Sequence, residues 1–268
     1  MNSERDVMNK EKEPLVSVVI PVYNGLRYIL RAMESVLKQD VDLELIVVND
    51  ASTDETECLV NSFLPDDRII YLKNETQMGV AASRNRGVSI ARGKYIAYLD
   101  VDDYWREGKL KKQIAMMEEK GVVLCSSARE LMTPGCAPTG YVIESKEDIT
   151  YKMMLHQNHI NCSAVVLLRE VALEFPMEKD EIHEDYLTWL RILKKYKRAC
   201  AVNEPLILYR LSNLGKSGNK LHSAKMTYGV YRQLGLGWIK SLYCFCCYAV
   251  CGLIKYHKCG LLKVFPVS

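Results

Sequence analysis

The chain carries no internal repeat and no low-complexity tract, so its 268 residues read as one large α/β domain with an appendage, or as two small domains. It opens on no apolar segment. MNSERDVMNKEKEP is polar and charged, which argues against a secretory signal and predicts a flexible lead-in over residues 1–13. Nor is there a convincing membrane span. The 14 uncharged residues of SLYCFCCYAVCGLI would reach about 21 Å as a helix, against a hydrocarbon core of about 30 Å. Ten cysteines are present, scattered or clumped, and they form no disulfide framework; reduced thiols in a cytosolic protein are expected. Cys247, Cys251, His257 and Cys259 fit no zinc-ligand spacing and read as buried thiols.

A strong net charge is missing too, at +3, but the charge is unevenly placed. Residues 191–268 hold 14 Lys and Arg and one acid, Glu204. The totals of 36 and 33 leave 22 basic and 32 acidic groups for residues 1–190, so the body is −10 and the end +13. A basic end on an acidic body points to an anion: a phosphate, a nucleic acid or a membrane surface.

What is present alternates strand and helix. VSVVIPVYN (16–24), LELIVVND (43–50), RIIYLKN (68–74) and KYIAYL (94–99) are near-continuous apolar runs, as in parallel strands buried on both faces. Between them lie Ile29, Met33, Val36 and Leu37 at helical spacing. STDETECLVNSFL follows, with Ser52 and Glu55 placed for a capping box, then GVAASRNRGVSIARG, closed by Gly93. The helix GKLKKQIAMMEEKG and the strand VVLCSSA come next. The pattern predicts a doubly wound, mostly parallel sheet, in which ligands bind beyond the carboxyl ends of the strands. After about residue 129 regularity fades: a loop at 133–140, a strand at 162–169, an amphipathic helix at 183–196, and a short extended piece running into a Gly/Ser/Asn loop by residue 220.

The predicted strand ends carry Pro21, Tyr23, Asn24, Asp50 and the acidic cluster Asp100-Val101-Asp102-Asp103. Three readings of that cluster compete. Capping of backbone N–H groups accounts for one carboxylate, with Asp103 the best placed. A pair of glycoside-hydrolase carboxylates is the second. The third is a hard-cation site, where one or two carboxylates hold Mg²⁺ or Mn²⁺ that bridges substrate phosphates.

Four segments in order, VSVVIPVYNGLRYILRAMESVLKQ, ELIVVNDASTDET, GVAASRNRGVSIARGKYIAYLDVDD and EDYLTWLRI, resemble the inverting nucleotide-sugar glycosyltransferases of family 2, over roughly residues 14–217. The resemblance implies a GT-A fold over residues 14–222, with a nucleotide-binding half (14–128) and an acceptor half (129–222), followed by a helical tail (223–268). It implies that Pro21, Tyr23 and Asn24 line the nucleobase site and that Asp50 hydrogen-bonds the base. Arg84 and Asn85 would lie beside the nucleotide. Asp102, with Asp100, would hold Mn²⁺ or Mg²⁺, Asp100 sitting nearer the ribose. Asp185 would be the catalytic base. Arg210, Lys216 and Ser217 would belong to a mobile loop over the pyrophosphate. The second motif reads Asn49-Asp50-Ala51-Ser52 where the family usually has Asp-Asp-Gly-Ser, and the Asp is kept. The Q-x-x-R-W signature of processive members is missing, which favours a single addition. Gly215-Lys216-Ser217 is not a P-loop, because the upstream Gly would fall at Arg210.

Retention of Asp102 and Asp185 argues against an inactive nucleotide-binding or membrane-scaffold relative. A sugar-phosphate nucleotidyltransferase would need a Gly-rich, basic loop after the first strand, which PVYNGLRYIL does not supply. The resemblance implies as partners a nucleotide-sugar donor, UDP-linked, and a glycan or isoprenoid-diphosphate acceptor in surface-polysaccharide assembly. Nucleic acid is not expected. The apolar tail, with Trp238, Tyr243 and Tyr248 among basic residues, reads either as a buried helix or as a segment lying on an anionic membrane. The second reading makes the protein peripheral at the cytoplasmic face of a bacterial inner membrane.

Overall fold

The computed structural model describes residues 13–178, 181–211 and 220–258. Its first half follows the apolar runs. β1 (Val16–Val22), β2 (Leu43–Asn49), β3 (Ile69–Lys73) and β4 (Tyr95–Tyr98) pair in parallel in the order β3-β2-β1-β4. Alternate side chains leave opposite faces of a strand, so a run apolar at every position feeds two cores. Val19, Ile46, Val48, Ile96 and Tyr98 enter one core, while Val18, Ile20, Leu45, Val47 and Leu99 enter the other. Each fully buried aliphatic side chain contributes about 1.5–3 kcal/mol. The crossovers are α1 (Ile29–Leu37), α2 (Thr56–Asn61) and α3 (Val80–Ile90).

Beyond β4 the sheet stops being mostly parallel. β5 (Tyr104–Trp105), α4 (Lys109–Lys120), β6 (Leu124–Met132), β7 (Pro138–Ile143) and β8 (Asp148–Thr150) follow, then α5 (Tyr151–His156) and a short 3₁₀ turn at Cys162–Ala164. β9 (Val166–Leu168), α6 (Arg169–Glu174), α7 (Glu184–Tyr196) and β10 (Arg198–Arg210) complete the sheet, and α8 (Lys220–Gln233) and α9 (Trp238–Lys258) close the described chain. β9 lies antiparallel between β4 and β6. β10 runs parallel to β6 and antiparallel to β5 and β8. The expected short extended piece is thus a 13-residue strand. Pro205 hides it: lacking an N–H, it sits where the β6–β10 register shifts. Part of the expected 133–140 loop is the start of β7. α8 begins at Lys220, so the expected tail boundary at 222/223 falls inside a helix.

Gly93 does not close α3, which ends at Ile90 with Ala91 extended. Its role is close approach. Gly93 N donates to Ser17 Oγ at 2.8 Å, and Ser17 Oγ donates to the buried Glu44 carboxylate at 2.6 Å. A Cβ on Gly93 would stand 2.6 Å from Ser17 N and 2.7 Å from Val16 C, both backbone atoms. Gly93→Ala is therefore expected to lower the unfolding free energy by about 1–3 kcal/mol, the cost of overpacking. Gly252→Ala in α9, where nothing lies within 4 Å, should be neutral or stabilising by up to about 1 kcal/mol. Urea melts of the two variants check this; equal behaviour would remove close approach as the constraint.

Candidate active site

The carboxyl ends of β1 and β2 are stapled together. Asn24 takes a left-handed φ of 48°, its N–H donates to Ser52 Oγ at 2.9 Å, and its Oδ1 accepts from Thr53 N at 2.8 Å. Ser52 is spent on this staple and does not cap α2, whose N-cap is Glu55 with no side-chain bond. Pro21 is buried within β1 opposite Val48, so it shapes the strand end; the exposed ring there is Tyr23, 44% accessible. Asp50 is buried, and its carboxylate accepts from Asn74 Nδ2 at 2.6 Å, Met78 N at 2.8 Å and Gly79 N at 2.8 Å. It fixes the approach to α3. Beside it lies a cavity of about 400 Å³ lined by Ala51, Ser52, Lys73, Asn74 and Glu75.

The acidic cluster resolves into three carboxylates with different surroundings. Asp103 is buried, and it caps no helix: Gly108 holds the N-cap of α4. Asp103 Oδ2 accepts from Ser163 Oγ at 2.7 Å and Oδ1 from the β10 amide Arg210 N at 2.8 Å. Burial, then the charges of Asp102 and Asp100, hold its carboxyl well above the usual range. Asp100 Oδ1 receives Arg84 Nη2 at 2.5 Å. Burial, followed by the nearby Asp100 charge, pushes Asp102 up to about 6. Two hard oxygen donors repel each other here, and a divalent cation would relieve that repulsion. Among the described residues no cluster of three or more His, Cys, Asp or Glu side chains could hold a metal. Mg²⁺ needs only one or two protein carboxylates when phosphates and water complete its shell, so Asp100 and Asp102 fit one.

Arg84 and Asn85, on one turn of α3, join the two halves of the chain. Arg84 is 3% exposed, and its Nη1 donates to Glu184 Oε1 at 2.9 Å while Nη2 holds Asp100. Asn85 grips the backbone of Met177 at both ends, donating to its carbonyl at 2.7 Å and accepting from its N–H at 2.9 Å. The acids that open α7 are therefore distinct: Glu184 is buried on Arg84, and Asp185 is half-buried beside it. Asp185 Oδ1 accepts from Tyr186 N at 2.7 Å. Burial, then Glu184, pushes Asp185 up to about 7, against the pull of Arg84. The contacts of Arg84 to Glu184 and of Ser163 to Asp103 escape sequence reading, because they join residues 100 and 60 positions apart.

Arg210 requires a correction. It sits at the end of β10, 5% exposed, and not on a mobile loop. Its guanidinium donates to Asp102 O at 3.0 Å and Pro134 O at 2.6 Å and lies 4.3 Å from the centroid of the Tyr28 ring. It clamps the backbone of the acidic cluster. Lys216 and Ser217 lie outside the described residues. Arg210→Ala should lower the unfolding free energy by about 1–3 kcal/mol by removing a buried guanidinium and its part-buried, charge-assisted hydrogen bonds to the Asp102 and Pro134 carbonyls. Unchanged stability in urea, together with lost nucleotide affinity by calorimetry, would instead restore the pyrophosphate role.

Comparisons with known proteins identify the family and the fold. Residues 17–174 match the model of the family described as glycosyl transferase family 2. TuaG of Bacillus subtilis (strain 168), a glycosyltransferase named for teichuronic acid biosynthesis, is 37% identical over 240 residues, covering 88% of this chain and 95% of its own. WfaP of Escherichia coli, a UDP-Glc:alpha-D-GlcNAc-diphosphoundecaprenol beta-1,3-glucosyltransferase, is 36% identical over 246 residues, covering 90% of this chain and 95% of its own. The fold matches S. aureus TarS 1-349 in complex with UDP-GlcNAc, with a TM-score of 0.67 at 18% identity over 85% of this chain and 69% of that one. It also matches the mannosyltransferase PcManGT from Pyrobaculum calidifontis in complex with GDP-Man and Mn²⁺, with a TM-score of 0.67 at 18% identity over 85% and 66%. The GT-A architecture is thereby shown, and with a family model covering more than half of its length and full-length relatives above 30% identity, the chain belongs to glycosyl transferase family 2.

Proposed function

We propose that the protein transfers a single sugar, with inversion, from a UDP-linked donor to a hydroxyl of a lipid-diphosphate-linked glycan during surface-polysaccharide assembly. The observation that carries this reading is the Arg84 bridge. One buried guanidinium holds Asp100, beside the donor-side Asp102, and Glu184, beside Asp185. The donor and acceptor carboxylates are thus fixed relative to each other through a single planar group. The WfaP-type relatives supply the donor and acceptor classes by likeness.

In this reading Tyr23 stacks on the base and the Asp50 region receives its edge. The acceptor oxygen attacks the anomeric carbon from the face opposite the diphosphate. The carbon–oxygen bond to the diphosphate breaks, its electron pair stays with the leaving group, and the acceptor proton passes to Asp185. Asp102, with Asp100, would hold Mn²⁺ or Mg²⁺, which neutralises the charge that develops on the diphosphate. The basic end of the chain makes the protein peripheral on an anionic membrane, where a lipid-linked acceptor resides.

Asp102→Ala should abolish metal-dependent transfer while leaving the melting temperature of the apo protein at or above the wild-type value, since a repelled carboxylate is removed. Full wild-type turnover in excess chelator would defeat the metal assignment.

Asp185 makes a pH-dependent case. Its folded value of about 7 lies above the ordinary 3.8, so the folded state binds the extra proton between those values. Stability from this group falls as pH rises through that window, and the cost of the charge is fully present above about 7. As a base the carboxylate works only when ionised, so kcat/KM should fall about tenfold per pH unit below about 7. Asp185→Asn should leave donor affinity unchanged, lower transfer about 10²–10⁴-fold, and melt no earlier than wild type at pH 8. A variant that melts earlier yet retains turnover would make Asp185 a helix-terminus charge and turn attention to Glu184.

A further inference from the structure

We propose that the outward face of α9 is an in-plane docking surface for an anionic bilayer. The inference rests on the peripheral-membrane reading and specifies which surface makes the contact and how the catalytic body is held against it.

From Trp238 to Ile254 the exposed positions of α9 are Trp238, Ile239, Lys240, Leu242, Tyr243, Cys246, Ala249, Val250, Leu253 and Ile254. Only Lys240 is charged. At 100° per residue the nine others fall within one stripe of about 160°, roughly 24 Å long. Trp238 is 67% exposed, Ile239 66% and Leu253 65%. A water-facing helix surface is normally polar, and a continuous apolar one marks an interaction site.

The opposite face is already committed. Ser241 and Cys244 are buried, Phe245 meets Tyr228 of α8 with ring centroids 6.2 Å apart, and Tyr248 meets Tyr186 of α7 at 5.7 Å. The helix therefore cannot roll its apolar stripe inward. No helix among the described residues is long and apolar enough to cross a membrane. A helix fixed to a globular body, with an apolar outer stripe bearing Trp and Tyr, fits the headgroup–acyl boundary lying flat.

Charge selects the occupant. From Lys220 to Lys258 the chain holds six Lys and Arg and no Asp or Glu. Anionic headgroups complement that set. A second copy docked through the same stripe would bring a basic segment without acids against another of the same kind. Tyr186 directly follows Asp185, so the α9–Tyr186 contact ties the bilayer-facing helix to the base.

The test uses the full chain with phosphatidylcholine vesicles, with and without phosphatidylglycerol. Trp105 and Trp189 are buried, so a change in emission reports Trp238. Wild type should float with the anionic vesicles, shift its emission to the blue and be quenched by brominated lipid; Trp238→Phe should abolish the quenching. The combined Leu242→Glu, Val250→Glu and Leu253→Glu variant should keep its circular dichroism and donor hydrolysis while its vesicle affinity drops roughly tenfold or more. Wild type and variant floating equally, with Trp238 unquenched, would overturn the face but leave the peripheral reading standing. Wild type that never floats would overturn both. Concentration-dependent dimers lost in the variant, without vesicle binding, would assign the stripe to a second copy.

Discussion

The buried guanidinium of Arg84 is the contact on which the site depends. It lies in α3, yet its two ends reach Asp100 at the end of β4 and Glu184 at the start of α7. An arginine stays charged at any pH a protein survives, so once buried it must be paired. Two carboxylates from distant segments supply the pairing, Asp100 through Nη2 and Glu184 through Nη1. Breaking a buried pair by removing one partner typically costs about 3–5 kcal/mol, because a charge is left behind. That penalty holds the end of β4 and the start of α7 together. Asn85, clasping the Met177 backbone from the same helical turn, fixes the same interface with neutral bonds.

The crowding of acids follows from this anchor. Arg84 neutralises part of the charge of Asp100 and Glu184, while Asp102 and Asp185 stay beside them without a cation of their own strength. Their carboxyls rise to about 6 and about 7 through burial first and like charge second. Asp103 has a different task. Through Ser163 and the Arg210 amide it ties the strand end to the 3₁₀ turn and to β10. The cluster therefore combines, within four residues, a structural carboxylate, a paired one and one whose carboxyl is raised. Arg210 closes it from behind, holding the Asp102 carbonyl and stacking on Tyr28.

The parallel half is legible because burial on both faces writes an uninterrupted apolar run, and each run ends within two residues of its strand. Tyr23, Asp50, Asp102 and Asp185 could be placed because short motifs mark strand and helix ends. What escaped is what depends on distant partners. Ser163 in CSAVVLLR and Glu184 look like any polar residues until the sheet brings Asp103 and Arg84 to them. β10 was underestimated because Pro205 breaks its ladder. Arg210 reads as loop because a Gly/Ser/Asn stretch follows it, whereas its own amide is held by Asp103 and the next one, Leu211 N, still donates to Met132 O of β6.

α9 shows why composition alone leaves two readings open. An apolar helix that is buried and one that lies on a membrane have the same residues; they differ in which face has partners. Here Cys244, Phe245 and Tyr248 have partners, and Ile239, Leu242, Val250 and Leu253 face outward. The inner face is packed as a buried helix would be, and the outer face is apolar and exposed. The buried face is tied to the body, because Tyr248 packs its ring on Tyr186, which also meets Tyr231 of α8 and donates its hydroxyl to the Met154 carbonyl. Tyr186 is the residue after the proposed base. The helix that meets the outside of the molecule therefore also limits how far the start of α7 can move. Ring packing thus joins α9 to α7 through Tyr186, so the outward face of α9 and the Glu184–Asp185 pair belong to one packing unit.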